Sequence, residues 1–269
     1  MKTSSVKVSI VKNELSPAMI DQMWSVYQKY YNYSQTYFLE RLNKNNYFSL
    51  YQVGDEIVGF TGLRINRTKM NGKKRLLINF GQTIVDKAYR GKSLIPATGA
   101  KLCMLFPYEL LFHKTYFWAD CLTYKAYLVF AKTLEEYYPS YKYDPSEDVR
   151  DVIDYIGATH YADSYCPKTG TVNKESIVVN DVNTSIPEKY KEDQDINYYA
   201  QANSQFETGN GLITLGPVNF TNFSLLIKRF VKQSLGIHPK QKLSISDPIH
   251  ALSNALRGAT FSLFLYKNA

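Results

Sequence analysis

"TIVDKAYRGKSLI" (residues 83–95) joins two kinds of local structure. Thr83, Ile84 and Val85 are β-branched and suit the end of a strand. Lys87, Arg90, Gly91, Lys92 and Ser93 then form a basic turn with a glycine in it. The run that follows, "LIPATGAKLCMLF" (94–106), has small residues at helical spacing. Pro96 is tolerated only in a first turn, so this helix is predicted to begin near Ser93. Such a turn can hold phosphates against the helix start. It can also be a tight turn whose lysines are simply solvated, and the surrounding chain has to decide between the two.

Upstream, "VKVSIVK" (6–12) alternates as a strand should. Ser16 and Pro17 form an N-cap and first helical position for "SPAMIDQMWSVYQKYY" (16–31), whose Met19, Ile20, Met23, Trp24 and Tyr27 make one apolar face. "SQTYFLERLNK" (34–44) predicts a second helix. "YFSLYQV" (47–53), "IVGFTGLRIN" (57–66) and "LLINFGQTIV" (76–85) read as consecutive antiparallel strands, with Asn71-Gly72 as a hairpin turn. Gly81 inside the last of them marks a bulge or a close backbone approach. Downstream, "KTYFWADCL" (114–122) is a strand and "TYKAYLVFAKTLEEYY" (123–138) a helix stopped by Pro139. The order is that of an α+β protein whose first half closes on a β-α-β unit.

The second half carries weaker signals. "DPSEDVRDVIDYIGATHYA" (144–162) predicts an acidic-faced helix. Residues 167–210 show no clear period and read as a long surface excursion. "GLITLGPV" reads either as a strand or as part of a hairpin turn. "FTNFSLLIKRFVKQSLG" (220–236) is an amphipathic helix, "SDPIHALSNALRG" (246–258) a capped helix and "TFSLFLY" (260–266) a closing strand.

Composition narrows the class. The chain has 269 residues, 45% of them hydrophobic, and a net charge of +8. No apolar run is long enough for a membrane span, and lysines interrupt the N-terminus where a secretory signal would need an apolar core. Cys103, Cys121 and Cys166 are unpaired in number and spacing, which fits a reducing cytoplasm and neither disulfides nor zinc. His160, His238 and His250 have no ligand spacing among them, so no metal site is expected. Residues 1–100 carry 15 Lys and Arg against 6 Asp and Glu, residues 101–200 carry 10 against 16, and residues 201–269 carry 7 against 2. This asymmetry points to a local anionic partner: a phosphorylated cofactor, an acidic carrier protein or nucleic acid. "RINRTKMNGKKR" (64–75) is the nucleic-acid candidate, though it flanks a hairpin turn and reads better as a solvated tip.

With these elements in place, residues 5–138 resemble the GCN5-related N-acetyltransferase (GNAT) superfamily. The family's pyrophosphate loop, R/Q-x-x-G-x-G/A, falls on Arg90, Gly91, Lys92, Ser93, Leu94 and Ile95. Ser93 replaces the usual glycine and Ile95 the usual glycine or alanine. The resemblance implies a mixed, mostly antiparallel sheet flanked by helices, with an acyl-CoA-binding core over 1–165. The extension over 166–269 would complete the sheet and the acceptor site within one compact unit. It also implies acyl transfer from acetyl-CoA or acyl-CoA, or from the phosphopantetheine of an acyl carrier protein, to the amine of a small molecule or amino acid. An N-acyl amino acid synthase-like branch with an apolar acyl tunnel is one version.

Several site residues follow from the resemblance. Ile84, Val85, Arg90, Gly91, Lys92, Ser93, Leu94 and Thr123 would contact the cofactor, with a backbone amide between Gln82 and Val85 polarising the acyl carbonyl. The strand before the loop has only Asn79 and Gln82 where the family commonly has a carboxylate, which leaves Asp120 and His113 as candidate bases. The family's Asn-x-x-Ala-x-x-x-Tyr helix places Phe130 at the tyrosine that protonates the thiolate, so that acid is missing. The alternative function is a non-catalytic acyl-CoA sensor on a degenerate fold.

Overall fold

The computed structural model describes residues 6–174 and 185–235. The expected elements at 246–258 and 260–266, His238 and His250 lie outside the described residues. Local chemistry sets the first elements. After β1 (Lys7–Lys12), Ser16 accepts a hydrogen bond from the Met19 amide and Pro17 starts α1 (Pro17–Tyr27). Ser34 caps α2 (Gln35–Leu42) in the same way through the Tyr37 amide. β2 (Tyr47–Val53), β3 (Glu56–Met70) and β4 (Lys73–Val85) follow as a meander. Asn71 and Gly72 turn β3 into β4 with φ of 50° and 76°.

β4 carries a bulge where Gly81 was expected to mark one. Leu63 faces Phe80 and Thr61 faces Thr83, so Gly81 and Gln82 together oppose Gly62. The extra residue reverses the alternation of faces. Leu76, Ile78 and Phe80 join one apolar cluster, while Ile84 joins the cluster under α1 and α2.

α3 (Leu94–Leu105) and α4 (Pro107–Phe112) lead to β5 (Lys114–Cys121), which pairs parallel with β4. Every other ladder among the described strands is antiparallel, in the order β1-β2-β3-β4-β5-β8-β7-β6. β6 (Tyr165–Cys166), β7 (Thr171–Val172) and β8 (Gly211–Pro217) thus extend the same sheet past β5. "GLITLGP" is a strand and not a hairpin turn. The α+β architecture, a mostly antiparallel sheet flanked by helices, is the one the sequence predicts.

Two expectations are corrected. α5 (Tyr124–Ala131) stops well short of 138. The buried Asn222 side chain accepts from the Glu135 and Glu136 amides, at 2.9 and 3.2 Å, and Tyr138 pairs with Leu215. Tertiary partners thus take the backbone groups that helix continuation would have used. Second, 167–210 is not wholly a surface excursion. It contains α7 (Gln194–Ala202), whose Ile196 and Tyr199 are buried in the main core. Lys132 holds Asp195 at 2.6 Å, and the Tyr199 hydroxyl donates to the Cys121 carbonyl at 3.2 Å. α6 (Glu147–Tyr161) and α8 (Phe220–Ser234) form as predicted.

The charge asymmetry is partly consumed inside the molecule. The cations of the β3–β4 hairpin meet the acidic helices: Arg67 pairs with Glu109, and Lys73 and Arg75 pair with Asp148. Arg75 is fully buried, and its guanidinium holds the Asp148 carboxyl well below the usual range. Three of the hairpin's cations, Arg67, Lys73 and Arg75, are thus engaged by this chain's own carboxylates.

Candidate functional site

The β4–β5 ladder runs from Arg75↔Lys114 only to Asn79↔Trp118. β4 nevertheless stays paired with β3 as far as Val85, and β5 with β8 as far as Cys121. The two strands therefore part, and from Gly81 onward the β5-facing edge of β4 has no strand partner among the described residues. A cleft of about 660 Å³ opens in the gap. Its walls are the edge from Phe80 to Val85, the turn from Tyr89 to Pro96, the β5 end at Ala119 and Asp120, and α5 residues including Ala126 and Phe130.

One end of the cleft is the basic turn between β4 and α3. Ile84, Val85, Arg90, Gly91, Lys92, Ser93, Leu94 and Thr123 all line the cavity. Gly91 has φ of 77°, and a Cβ built on it meets nothing within 4 Å, so the loop faces open space. Ser93 has φ of 56°, a left-handed conformation that suits glycine, and makes no side-chain cap. The leading amides of α3 have no acceptor within the helix. Arg90 Nε donates to the Val85 carbonyl at 2.9 Å and its guanidinium lies 4.6 Å from the Tyr30 ring centroid. Lys92 sits 5.0 Å from the Tyr89 ring centroid. Ile95 packs against the core, and the cleft remains open beside it. A diphosphate-bearing cofactor with an extended arm fits these residues. Charge and amides stand at the loop, there is room beside Gly91, and the β4 edge past Asn79, unpaired among the described residues, can take the arm.

The other end is polar. Asp120 reaches the cleft from β5 and is paired with Lys174, which follows β7. Burial, with help from Arg41 and Arg64, pulls the Lys174 ammonium down to about 7, a pull the Asp120 carboxylate opposes. Gln82 is 8% exposed, and neither of its amide atoms has a hydrogen-bond partner among the described residues. The Tyr27 hydroxyl lies near it but outside hydrogen-bond geometry.

The candidate bases are thus separated. His113 caps α4 just ahead of Lys114, at the far end of β5, and does not line the cleft, whereas Asp120 does. Phe130 lines the cleft, and Tyr127 on the same helix turns away to the Pro139 carbonyl. Cys121 is fully buried, its thiol pushed up to about 12, so it stays protonated and is no nucleophile. Lys174 and Arg41 were missed. No local signal marks either of them, since only the β7–β8 pairing and the packing of α2 bring them to Asp120. Among the described residues no His, Cys, Asp and Glu cluster could hold a metal, and no helix is long and apolar enough to cross a membrane.

No family model and no curated protein matches the chain. Solved structures overlap about half of it. An aminoglycoside acetyltransferase from an uncultured soil metagenomic sample is 21% identical, with 54% of this chain and 99% of that one covered and a TM-score of 0.35. A GNAT family N-acetyltransferase of Escherichia coli, in complex with CoA, is 10% identical, with 45% and 65% covered and a TM-score of 0.32. A Trypanosoma brucei acetyltransferase is 16% identical, with 47% and 89% covered and a TM-score of 0.33. What the cleft does has to come from its own residues.

Proposed function

We propose that the protein is an N-acyltransferase that takes an acyl group from acyl-coenzyme A and gives it to an amine in this cleft. The observation that carries the reading is the joining of the β4–β5 opening to the basic start of α3, because a long thioester with a charged head needs both in line. Arg90, Lys92 and the amides from Gly91 to Leu94 would hold the diphosphate. The free edge of β4 between Gly81 and Val85 would pair with the amides of the arm and offer an N–H to the acyl carbonyl. Thr123 lines the same path. Phe80, Phe117 and Leu226 give the cleft an apolar wall that suits acyl groups longer than acetyl.

When bound, acyl-coenzyme A supplies an activated carbonyl and a leaving group. The chain's own residues do the rest. Asp120 is placed to bind an ammonium, since it binds that of Lys174. Its carboxylate would first take one proton to free the nitrogen lone pair, and the second proton, shed as the nitrogen bonds to the acyl carbon, would pass to solvent. Phe130 lines the cleft without a proton to give, so the departing sulfur would be protonated from solvent, which receives in turn the proton held on Asp120.

Phe130 also favours a second reading, an acyl-CoA sensor without turnover. An acyl carrier protein is the alternative donor, attracted by the cations near the loop. One experiment separates these readings: incubation with acetyl-CoA, octanoyl-CoA or octanoyl-carrier protein and a panel of amines, with release of free thiol followed by a thiol reagent. Amine-dependent thiol release supports the enzyme and names its donor. Tight coenzyme A binding with no release under any condition supports the sensor.

A further inference from the structure

The polar end of the cleft holds more positive charge than deprotonating an amine requires. Arg41, in the last turn of α2, lines the cavity together with Lys174 and Asp120. Arg64 stands behind them on β3, giving Nε and Nη2 to Asn79 Oδ1 at 3.2 and 3.0 Å, with its guanidinium 5.8 Å from the Trp118 ring centroid. Against these three cations stands Asp120, already engaged by Lys174. Neither arginine forms an ion pair among the described residues. The polar partner of Arg41 is the Tyr37 hydroxyl, at 3.4 Å. A guanidinium fork facing a partly enclosed cavity without a carboxylate is a ready site for one.

Gln82 is the independent sign that a ligand belongs here. It is more than nine-tenths buried on the cleft wall, with both its donor and its acceptor unmet among the described residues. Buried amides in native proteins are rarely left so, and a polar ligand is one way to complete this one.

We propose that the acceptor is a carboxylate-bearing amine, an amino acid or a close relative, which inserts as a zwitterion between Asp120 and Lys174. Its ammonium replaces that of Lys174 on Asp120, its carboxylate meets Arg41 and the released Lys174, and Gln82 fixes its orientation. Charges then alternate along the site. A planar carboxylate matches the guanidinium fork of Arg41 in a bidentate pair. This inference rests on the acyltransfer reading and names its acceptor.

The test compares matched probes: L-amino acids and their carboxamides, each with acetyl-CoA and octanoyl-CoA, assayed by thiol release. The free acids should exceed the amides in kcat/KM by about 100-fold, the scale on which a paired charge discriminates. In Arg41→Gln that ratio should collapse through a raised KM for the acids, and in Arg41→Lys it should be partly restored. Coenzyme A affinity, measured by calorimetry, should be unchanged in both variants, which also shows that they fold. Amides turned over as well as acids, an equal loss for both in Arg41→Gln, or no turnover of any acid while coenzyme A binds would each overturn the proposal. Failure of wild-type protein to bind coenzyme A would instead sink the acyltransfer reading, and this inference with it.

Discussion

Asn79 on β4 and Trp118 on β5 are the last residues to face each other across the parallel ladder. Trp118 is held fully buried in the cluster that covers α6. Two residues past Asn79, the bulge at Gly81 and Gln82 bends β4 away, while β5 keeps its register with β8. The cleft is therefore a consequence of sheet geometry, and it places a strand edge, a helix start and a carboxylate around one volume.

The first expectation concerns the basic turn. Arg90 is exposed, so Arg90→Glu should change folding stability by no more than about 1 kcal/mol. It should nevertheless weaken coenzyme A binding by about 100-fold or more, by putting a like charge beside the diphosphate. Calorimetric titration measures this, and unchanged affinity would remove the phosphate assignment.

Ser93 offers a stability test with the opposite sign. Its φ of 56° costs a residue bearing a Cβ about 1–2 kcal/mol, part of which glycine returns as unfolded-state entropy. Ser93→Gly should stabilise the protein by about 0.5–1 kcal/mol in urea unfolding. A destabilisation would mean that the hydroxyl has a partner worth more than the strain.

A close approach links β3 to the cleft. A Cβ on Gly59 would stand 2.6 Å from the Ile84 carbonyl oxygen and 3.0 Å from Val85 Cα, both backbone atoms that cannot swing aside. Gly59→Ala should cost about 2–3 kcal/mol and also weaken coenzyme A binding, because the strand edge must shift. Chemical denaturation and calorimetry on the same variant report the two effects.

Lys174 gives a pH signature. Its ammonium is pulled down to about 7, against an ordinary value of 10.5, so in that window the unfolded chain holds a proton the folded chain has shed. Stability then rises with pH between those values, and below about 7 the buried charge is a net cost. Lys174→Met should flatten this rise relative to wild type. Asp120→Asn should extend the rise to lower pH by removing the counter-charge, and should lower turnover by about 10²–10⁴-fold, Asp120 being the proton acceptor.

Asp148 behaves in the opposite sense. Arg75 holds its carboxyl below 3.8, so the pair contributes stability above that value, and the contribution fades as pH falls through the lower folded value. Asp148→Asn leaves the fully buried Arg75 without its anion and should cost about 3–5 kcal/mol at pH 7, measured by urea unfolding.

Local chemistry carried much of the fold. Ser16-Pro17, Ser34 and Asn71-Gly72 are signals complete within a few residues, and the elements they predict begin or turn where they stand. The loop from Arg90 to Leu94 was legible for the same reason, because its charge, its glycine and the helix behind it are contiguous. Tertiary structure decided what depends on distant partners. It ended α5 early by offering Asn222 and Leu215, buried α7 in a stretch that looked like loop, and used the hairpin's cations on Glu109 and Asp148. It also assembled Arg41, Gln82, Asp120 and Lys174 at one end of the cleft. No window of sequence contains that grouping, because it exists only once four separate elements have packed.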